Sequence, residues 1–430
     1  MYRVWDFISS YSLLLILGAL MALGWANFDP HSYHHFVEYP LWFNSQIGVH
    51  IEHWTHAFGA AAQSYELGDV ERVVTVHYLV NDILMAFFFA IAAKEVWEAV
   101  ILKNGSLRGR KAATPLIATA GGMLGPVVVY LGIAALLGSD TYDAVSRGWA
   151  IPTATDIAFS YLVGRIVFGA GHPAIRFLLL LAIADDAGGL IILAIFYPSG
   201  DLAPQWLLLS FGVAILTFLL FNWLPLKMDG ERELRPVSTW VRKYLNLWPY
   251  AAASVVSWYG FAQAGLHPAL GLLPIVPTLP HEDRAFGIFS EAERFLTDLL
   301  NRAEHLLKSP VEVILFFFGL TNAGVEFGAI GEATWLVLFG LLIGKPVGIA
   351  LMGWIAAKPM GLGLPAGMRI VDLVVVGTVA AIGFTVALFV ASVAFAPGMV
   401  QDAAKMGALM SFGAAVVAII AGKVFRVEKR

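Results

Sequence analysis

The stretch Phe177–Phe196, FLLLLAIADDAGGLIILAIF, is apolar except for two adjacent aspartates at its centre, Asp185 and Asp186. A helix that spans a bilayer needs about 20 mostly apolar residues, so this stretch has the length of one span. An aspartate at the centre of such a helix costs roughly 2.5–3.5 kcal/mol on insertion scales, so a pair of them requires a reason. The stretch therefore predicts a membrane helix with a site inside it.

The composition of the whole chain also indicates a membrane protein. Of its 430 residues, 59% are hydrophobic and 13% are charged, whereas soluble chains are about half apolar and about a quarter charged. These proportions exclude a disordered chain and a nucleic-acid-binding protein, and the absence of cysteine excludes a disulfide scaffold. A polytopic membrane protein remains.

Twelve apolar segments follow one another along the chain, and we interpret them as the twelve transmembrane helices of an all-α polytopic membrane protein. Their lengths favour helices over barrel strands, which are half as long and alternate in polarity. The first segment has no clear small-residue cleavage site after it and is predicted to be a retained span. The segments begin near Tyr11, Val76, Ala112, Gly148, Pro173, Pro204, Leu247, Leu266, Val311, Trp335, Ile370 and Ala404.

The basic residues support this count and predict an orientation. If successive loops alternate between the two sides, Arg72, Arg147 and Lys405 fall on the second side and Lys345 falls inside a span. The other 23 of the 27 basic residues fall on the side of the N-terminus. Because cytoplasmic loops carry an excess of lysine and arginine, both termini are predicted to be cytoplasmic.

The loop 27–75 is predicted to be external, and it contains six of the eleven histidines. Within it, Pro40–Ile51 suits either a hairpin or a short surface helix. His50, His53 and His56 recur at every third residue. That spacing fits a metal-binding face or, more simply, a segment at the membrane interface.

The segment 281–310 is predicted to be cytoplasmic and is densely charged. It contains Glu304 and His305, which either titrate near neutrality or belong to a solvated surface. No part of the chain outside the apolar segments is long enough to form a soluble domain. Residues 1–430 are therefore predicted to form a single integral membrane domain.

The pair Asp185-Asp186 is the strongest candidate for a functional site. Neighbouring helical residues are about 100° apart, so both side chains can border one polar cavity. Poor solvation and mutual repulsion make it costly for both groups to be charged, which favours proton uptake. When deprotonated, their oxygens are ligands suited to a hard cation. The alternative, an aspartate pair that caps a helix at a loop, is weak because Arg176 and Pro198 place the loops half a membrane away.

The segment Gly148–Asp156, GWAIPTATD, predicts an interrupted helix. Pro152 breaks the helical hydrogen-bond ladder, and the hydroxyls of Thr153 and Thr155 are able to satisfy freed backbone groups. Asp156 follows the break, where an acidic side chain offsets the positive N-terminal end of a half-helix. The alternative is a plain proline kink with Asp156 near the outer interface.

Two further spans carry ionisable residues. Lys345, in Gly344-Lys345-Pro346, lies among aliphatic residues and needs a carboxylate partner, for which Asp185 or Asp186 is the natural candidate. Extension of the lysine to the cytoplasmic face is the alternative. Asp82, in the second span, fits a structural hydrogen bond as well as it fits a functional role.

The eleventh span contains Gly377-Thr378 and Gly383-Phe384-Thr385 and no proline. Such clusters allow close packing or local unwinding. Spans three to five and ten to twelve are two sets of three in opposite orientation, each with an interrupted middle helix. This arrangement is the inverted-topology repeat of a secondary transporter.

Several motifs resemble those of the bacterial NhaA-type sodium/proton antiporters, a family that is itself a type example of inverted repeats. They occur in order from the second span to the eleventh, and Asn81-Asp82 with its following residues also fits. The motifs are GWAIPTATDIAF at 148–159, LAIADDAG at 181–188, NAGV at 322–325, GKP at 344–346 and IGFT at 382–385.

The resemblance implies twelve helices in which spans four and eleven are unwound and cross at mid-membrane. It implies that Asp186 is the main cation ligand, with Asp185 beside it, so that transported sodium is the metal expected there. It also implies that Lys345 pairs with Asp185, and that Lys345 and Asp156 compensate the dipoles of the broken helices. Support of the crossing region falls to Thr155, Asp82, Gly383 and Thr385. Glu304 and His305 are implied to sense pH.

The implied activity is secondary active antiport of cytoplasmic sodium, or lithium, against external protons. It is expected to be electrogenic and regulated by pH, in the bacterial inner membrane. The resemblance implies no enzymatic activity and no cofactor. The expected partners are Na+, H+, the lipid bilayer and a second copy of the chain, joined through a hairpin in the external loop.

The sequence departs from the family pattern at the end of the second span and before the aspartate pair. The second span ends in Lys94-Glu95-Val96-Trp97-Glu98, where the family has a glycine, a leucine and basic residues, and Ala184 replaces a larger aliphatic residue. These departures concern the pH response more than the transport core.

Three other functions fit the sequence less well than antiport does. An intramembrane aspartyl protease places its two aspartates on separate helices, unlike the adjacent pair here. A cation channel fits poorly with a lysine beside the site and without a pore-loop filter. A sodium-coupled symporter of a small anionic solute is the nearest alternative, and the direction of proton movement on sodium addition distinguishes it.

Overall fold

The structure is a computed structural model that describes residues 13–65, 70–101, 105, 107, 109, 112–230, 236–281 and 298–429. It is mostly helical. The predicted external loop and charged segment are described in part, since 66–69 and 282–297 lie outside these ranges, as does residue 1 at the predicted cytoplasmic N-terminus. The helices are α1 (Leu13–Phe28), α2 (Pro30–Val37), α3 (Ile51–Phe58), α4 (Val76–Ile101), α5 (Ala113–Leu137), α6 (Ser139–Val145), α7 (Ile157–Phe168), α8 (Pro173–Phe196), α9 (Pro204–Asp229), α10 (Pro236–Trp240), α11 (Trp248–Gln263), α12 (Leu299–Asn322), α13 (Glu332–Ala357), α14 (Ile370–Ala380), α15 (Phe384–Ala394) and α16 (Met399–Val424).

Six of the described helices are long and apolar enough to cross a membrane. They are α4, α5, α8, α9, α13 and α16. Helices α14 and α15 pass the same test together as a seventh span, with a bend of 54° between them. The chain is thus a helical protein with several membrane spans, as its composition predicts.

The predicted eighth span is not a regular helix, which corrects the expectation for the segment from Leu266. Its place is taken by two short 3-10 turns, Pro268–Leu270 and Val276–Thr278. The physical reason is visible in the sequence LHPALGLLPIVPTLP, which contains four prolines. Proline lacks the backbone N–H of the helical ladder and its ring clashes with the preceding turn, so a continuous helix cannot form.

The helices and strands belong to two compact units, each built from separate parts of the chain. The first comprises Met1–His34, Ser106–Ile192 and Leu315–Arg430, and the second comprises His35–Gly105 and Leu193–Ile314. In the first unit, α5 and α13 approach closely because their contact is made by glycines. Carbonyls of Gly344 and Gly348 occupy the places that side chains at Gly125 and Gly121 would fill. Small residues four apart permit such backbone contact between membrane helices.

The second unit contains a three-stranded antiparallel sheet formed within the predicted external loop. Its strands are β1 (Pro40–Asn44), β2 (Val49–His50) and β3 (Arg72–Thr75), in the order β1-β3-β2. The segment Pro40–Ile51 therefore forms two strands that pair with β3, and not a hairpin in which they pair with each other. Trp54 is fully buried beneath this sheet and stacks on Phe58.

Candidate functional site

Two interrupted helices of the first unit meet at their breaks. The first comprises a 3-10 helix, Ser146–Thr153, three non-helical residues that end at Asp156, and then α7. The second is the bent pair α14–α15, interrupted at residues 381–383. The backbone N–H of Asp156 donates to the carbonyl of Ile382 over 2.8 Å. This bond gives the N–H of Asp156 and the carbonyl of Ile382 the hydrogen-bond partners that a continuous helix would have provided.

Asp156 lies at the N-terminal ends of two half-helices. One carboxylate oxygen accepts from the backbone N–H of Phe159, in the first turn of α7, over 3.2 Å. The other accepts from the Thr385 hydroxyl, and from the Thr385 backbone N–H over 3.3 Å, in the first turn of α15. Helix N-termini carry partial positive charge, so this one buried carboxylate offsets two helix dipoles.

Lys345 lies at the opposite end of the first break. Its Nζ atom donates to the carbonyl of Thr153 over 2.6 Å, where the 3-10 helix ends, and its side chain is fully buried. The C-terminal end of a helix carries partial negative charge, so a cation is favourable there. The same Nζ atom lies 3.1 Å from Oδ2 of Asp185.

Asp185 is held on one side only. Its Oδ2 atom accepts from the Thr155 hydroxyl over 2.7 Å and faces Lys345, while its Oδ1 atom is buried without a hydrogen-bond partner among the described residues. The Thr155 hydroxyl also lies 3.2 Å from the carbonyl of Ala380, the last residue of α14. Thr155 therefore connects the aspartate pair of α8 with both breaks.

Asp186 is less constrained than Asp185. It is partly buried, and its Oδ1 atom likewise lacks a hydrogen-bond partner within the described part of the chain. Asp185, Asp156 and Lys345 all act on it electrostatically. Two adjacent carboxylates thus each present one buried, unpaired oxygen, and buried polar atoms without partners are uncommon. Carboxylate oxygens of this kind are suited to a proton or to a hard cation.

The formal charges around the breaks do not balance. Asp156, Asp185 and Asp186 contribute three negative charges when ionised, and Lys345 contributes one positive charge. A net negative charge in a poorly solvated region is unfavourable. Uptake of one cation or one proton by the aspartate pair would reduce this charge.

The structure brings together most of the predicted site residues, but not all. Gly383 lies in the second break, and its backbone N–H donates to the hydroxyl of Ser411 over 3.3 Å. Asp82 belongs to the second unit, in a π-helical turn of α4. Its carboxylate lies 3.9 Å from His267, and its backbone carbonyl accepts from the Trp258 indole over 2.7 Å.

Glu304 and His305 also belong to the second unit, on α12. Glu304 is bonded to the buried Lys94 of α4, with an Nζ–Oε2 distance of 2.5 Å, whereas His305 is exposed. Lys94 also lies 2.8 Å from Glu98, one helical turn further along. The sequence interpretation missed this ion-pair cluster, although the i,i+4 spacing of Lys94 and Glu98 was a signal for it.

The histidine spacing of the external loop does not produce a metal site among the described residues, where no group of three or more histidine, aspartate or glutamate side chains is placed to hold a metal ion. His50 instead faces the guanidinium of Arg72 at 3.0 Å, beside β2 and β3. The location of these histidines at the membrane interface stays a prediction.

Residues 5–424 match the family model described as Na+/H+ antiporter 1. The chain is 70% identical to the Na(+)/H(+) antiporter NhaA of Jannaschia sp. (strain CCS1), over all of both chains. It is 44% identical to that of Desulfitobacterium hafniense (strain Y51), over 99% of this chain and 96% of the relative. It is 42% identical to that of Geobacter sulfurreducens, over 99% and 98%.

A solved structure, that of the sodium proton antiporter MjNhaP1 from Methanocaldococcus jannaschii at pH 8, gives a TM-score of 0.44 with 13% identity, over 96% of this chain and 95% of that one. The relatives named above are antiporters, and the symporter alternative has no support among them.

Proposed function

The chain belongs to the Na+/H+ antiporter 1 family, whose members are membrane transporters and not enzymes, and from this we propose that Asp185 and Asp186 form the site at which Na+ and H+ are exchanged. The observation that carries the proposal is the pair of buried, unpaired oxygens, Oδ1 of Asp185 and Oδ1 of Asp186. Both oxygens suit Na+ when deprotonated. The transported ion is a substrate, so no resident metal or cofactor is required.

The two aspartates have different roles in the proposed cycle. Asp186 is the main ligand, since Lys345 and Thr155 face Asp185 instead. Asp185 leaves its ion pair with Lys345 and contacts Na+ instead. Protons and Na+ compete for the same oxygens, and this competition couples the two fluxes without a separate energy source. If more protons than Na+ ions move in each cycle, transport is electrogenic and responds to membrane potential.

The two helix breaks allow the conformational change that the proposed cycle needs. Half-helices that meet at their ends, with dipoles offset by Asp156 and Lys345, are able to tilt without unfolding a whole span. We assign α7, with the 3-10 helix before it, to the fourth of twelve spans and α14–α15 to the eleventh, crossing at mid-membrane. Thr155, Gly383 and Thr385 support this crossing, and Asp82 is assigned to it on the family resemblance.

Helix lengths in the described part of the chain support nine of the twelve proposed spans, and the charge distribution supports the alternation of loops from which twelve were counted. Besides the six long helices and the bent pair, α1 and α7 are shorter apolar helices. The bias of 23 basic residues toward one side assigns both termini to the cytoplasm. In this arrangement residues 1–430 are one transporter domain in the bacterial inner membrane, with 281–310 a cytoplasmic segment.

The external loop 27–75 is assigned to dimer formation. In the described sheet, β1 is an edge strand that exposes Leu41 and Trp42, and an exposed apolar edge strand favours pairing with another chain. Leu41→Glu combined with Trp42→Glu is expected to convert a dimer into a monomer in detergent. An unchanged mass by light scattering would exclude this surface.

Regulation by pH is assigned to Glu304 and His305. The support is the contact between Glu304 and Lys94, which is buried in α4. His305 follows Glu304 directly on α12 and is exposed to solvent.

Proton movement in everted vesicles from cells without other Na+/H+ antiporters tests the exchange itself. Addition of Na+ to respiring vesicles is expected to release accumulated protons with the natural chain and not with Asp186→Asn. Asp201→Asn, which removes an exposed aspartate, is the matched control and is expected to behave like the natural chain. Na+-dependent proton release by Asp186→Asn would contradict the proposal, and movement in the opposite direction would indicate symport.

A further inference from the structure

Helix α16 contains a local interruption of its own. Its two α-helical parts are Met399–Met410 and Gly413–Val424, and between them Ser411 and Phe412 form a tight turn. The backbone N–H groups of Phe412 and Ala414 donate to carbonyls three residues earlier, over 3.2 and 2.9 Å. Such tightening within a long helix often marks a hinge.

The hydroxyl of Ser411 serves the break between α14 and α15. Residues 381–383 are not helical, so the N–H of Gly383 needs a partner outside its own helix. Ser411 Oγ accepts this N–H over 3.3 Å and donates in turn to the carbonyl of Ala408 over 2.6 Å. Ser411 is completely buried, so water does not replace this contact.

The ring of Phe412 contacts both half-helices that begin after the breaks. Its centroid lies 4.3 Å from that of Phe384, the first residue of α15. It lies 5.1 Å from that of Phe159, in the first turn of α7. The rings of Phe159 and Phe384 are themselves 6.0 Å apart, so the three aromatics form one closed cluster.

Phe412 packs against the same two helix N-termini to which Asp156 is hydrogen-bonded. Asp156 accepts from Phe159 and Thr385, while Phe412 packs on Phe159 and Phe384. A displacement of either half-helix therefore disturbs the turn in α16 as well as the carboxylate. The turn forms a third point of attachment, and it comes from a helix that carries neither break.

We propose that Ser411 and Phe412 are positioning residues for ion exchange, which set the geometry of both interrupted helices through Gly383, Phe384 and Phe159. The proposal rests on the exchange function assigned above. Ser411 accepts the free N–H of Gly383 in the break, and Phe412 packs between the two half-helices. In this proposal neither residue contacts the ion itself.

Ser411→Ala tests the hydroxyl, with Ser392→Ala as the matched control. Ser392, in α15, donates to the carbonyl of Phe389 in its own helix over 2.7 Å and does not serve a break. Ser411→Ala is expected to raise the Na+ concentration for half-maximal exchange about three- to tenfold, within the range that loss of one hydrogen bond produces. It is also expected to shift the pH profile and to speed hydrogen–deuterium exchange in a peptide that covers Gly383. Ser392→Ala is expected to change none of these.

A Ser411→Ala protein with the half-saturation, pH profile and amide exchange of Ser392→Ala would overturn the proposal for the hydroxyl. Amide exchange is measured on purified protein without transport. If the natural chain shows no Na+-dependent proton movement, the exchange function fails, whereas unchanged amide exchange at Gly383 removes the positioning role specifically.

Phe412→Leu tests the ring while keeping an apolar side chain, with Phe168→Leu as its control. Phe168 is a buried ring of α7 that stacks on His172 at 5.1 Å, away from either break. Phe412→Leu is expected to shift the half-saturation for Na+ several-fold more than Phe168→Leu at a similar loss of melting temperature. Equal shifts in the two variants would mean that Phe412 contributes packing alone and would overturn the proposal for the ring.

Discussion

Nζ of Lys345 lies 3.1 Å from Oδ2 of Asp185, and both side chains are completely inaccessible to solvent. The pair connects α13 with α8 in the first unit. Two opposite charges buried together are tolerable only while both remain, since either charge alone lacks compensation. In the proposed cycle, release of Asp185 toward Na+ or H+ leaves the buried charge of Lys345 without its partner, so the pair is a direct test of the proposed site.

The first prediction concerns the stability of this pair. Lys345→Met is expected to lower the free energy of unfolding by about 3–5 kcal/mol, because it leaves a buried carboxylate without a cation. Chemical denaturation in detergent measures the change. Lys358→Met, which removes an exposed lysine just after the same helix, is expected to have little effect.

The combination of Asp185→Asn with Lys345→Met provides a further check. Removal of both charges is expected to recover part of the lost stability, although not exchange. If Lys345→Met is as stable as Lys358→Met, the ion pair does not hold α13 to α8.

The second prediction concerns the bond between Thr385 and Asp156. Thr385→Val removes the hydroxyl that donates to Asp156 while keeping the side-chain volume. Loss of a hydrogen bond to a charged group is expected to cost about 1.5–3 kcal/mol of stability. The half-saturation for Na+ is expected to rise as well, because Asp156 loses its attachment to α15.

Thr378→Val is the matched control, since Thr378 is a buried threonine of α14 whose hydroxyl donates within its own helix, to Val375. Na+ titrations of proton release and thermal unfolding compare the two variants. Equal half-saturation in both would show that the bond to Asp156 has no part in ion binding.

The third prediction concerns the pH dependence of Na+ binding. If H+ and Na+ compete for the oxygens of Asp185 and Asp186, the apparent dissociation constant for Na+ must rise as pH falls. One competing proton gives at most about a tenfold change for each pH unit, and two give a steeper dependence. Isothermal titration of purified protein across a pH series measures the slope. A dissociation constant that stays the same while the carboxylates titrate would exclude competition at one site.

The fourth prediction concerns the ion-pair cluster of the second unit. Lys94→Met removes the cation that holds Glu98 and Glu304, at 2.8 and 2.5 Å. The two carboxylates then repel each other without a cation between them, so we expect the pH profile of exchange to differ from that of the natural chain. Exchange rates in vesicles across a pH series measure the difference.

Lys308→Met, one turn beyond Glu304 on the same helix, removes an exposed lysine and is the control. It is expected to retain the natural profile. A Lys94→Met protein with that profile would remove Glu304 from pH regulation and leave the cluster a structural role.

The amino-acid sequence by itself determined the membrane class and the locations of the costly charges. The cost of inserting a segment into a bilayer depends on that segment alone, so the apolar run around Asp185 and Asp186 is informative without a structure. Pro152 predicted the first break because proline disrupts the helical hydrogen bonds at its own position. The prolines from Pro268 onward carried an equally local signal against a regular eighth helix.

The partners of those charges were decided by the tertiary structure. Asp156 and Thr385 are 229 positions apart in the chain, and Lys94 and Glu304 are 210 apart. Their contacts depend on where two helix ends and two helix faces meet, which no local pattern specifies. Hydropathy thus located the charged residues within the apolar layer, whereas helix packing decided that Asp156 caps two half-helices and that Ser411 serves a break in another helix.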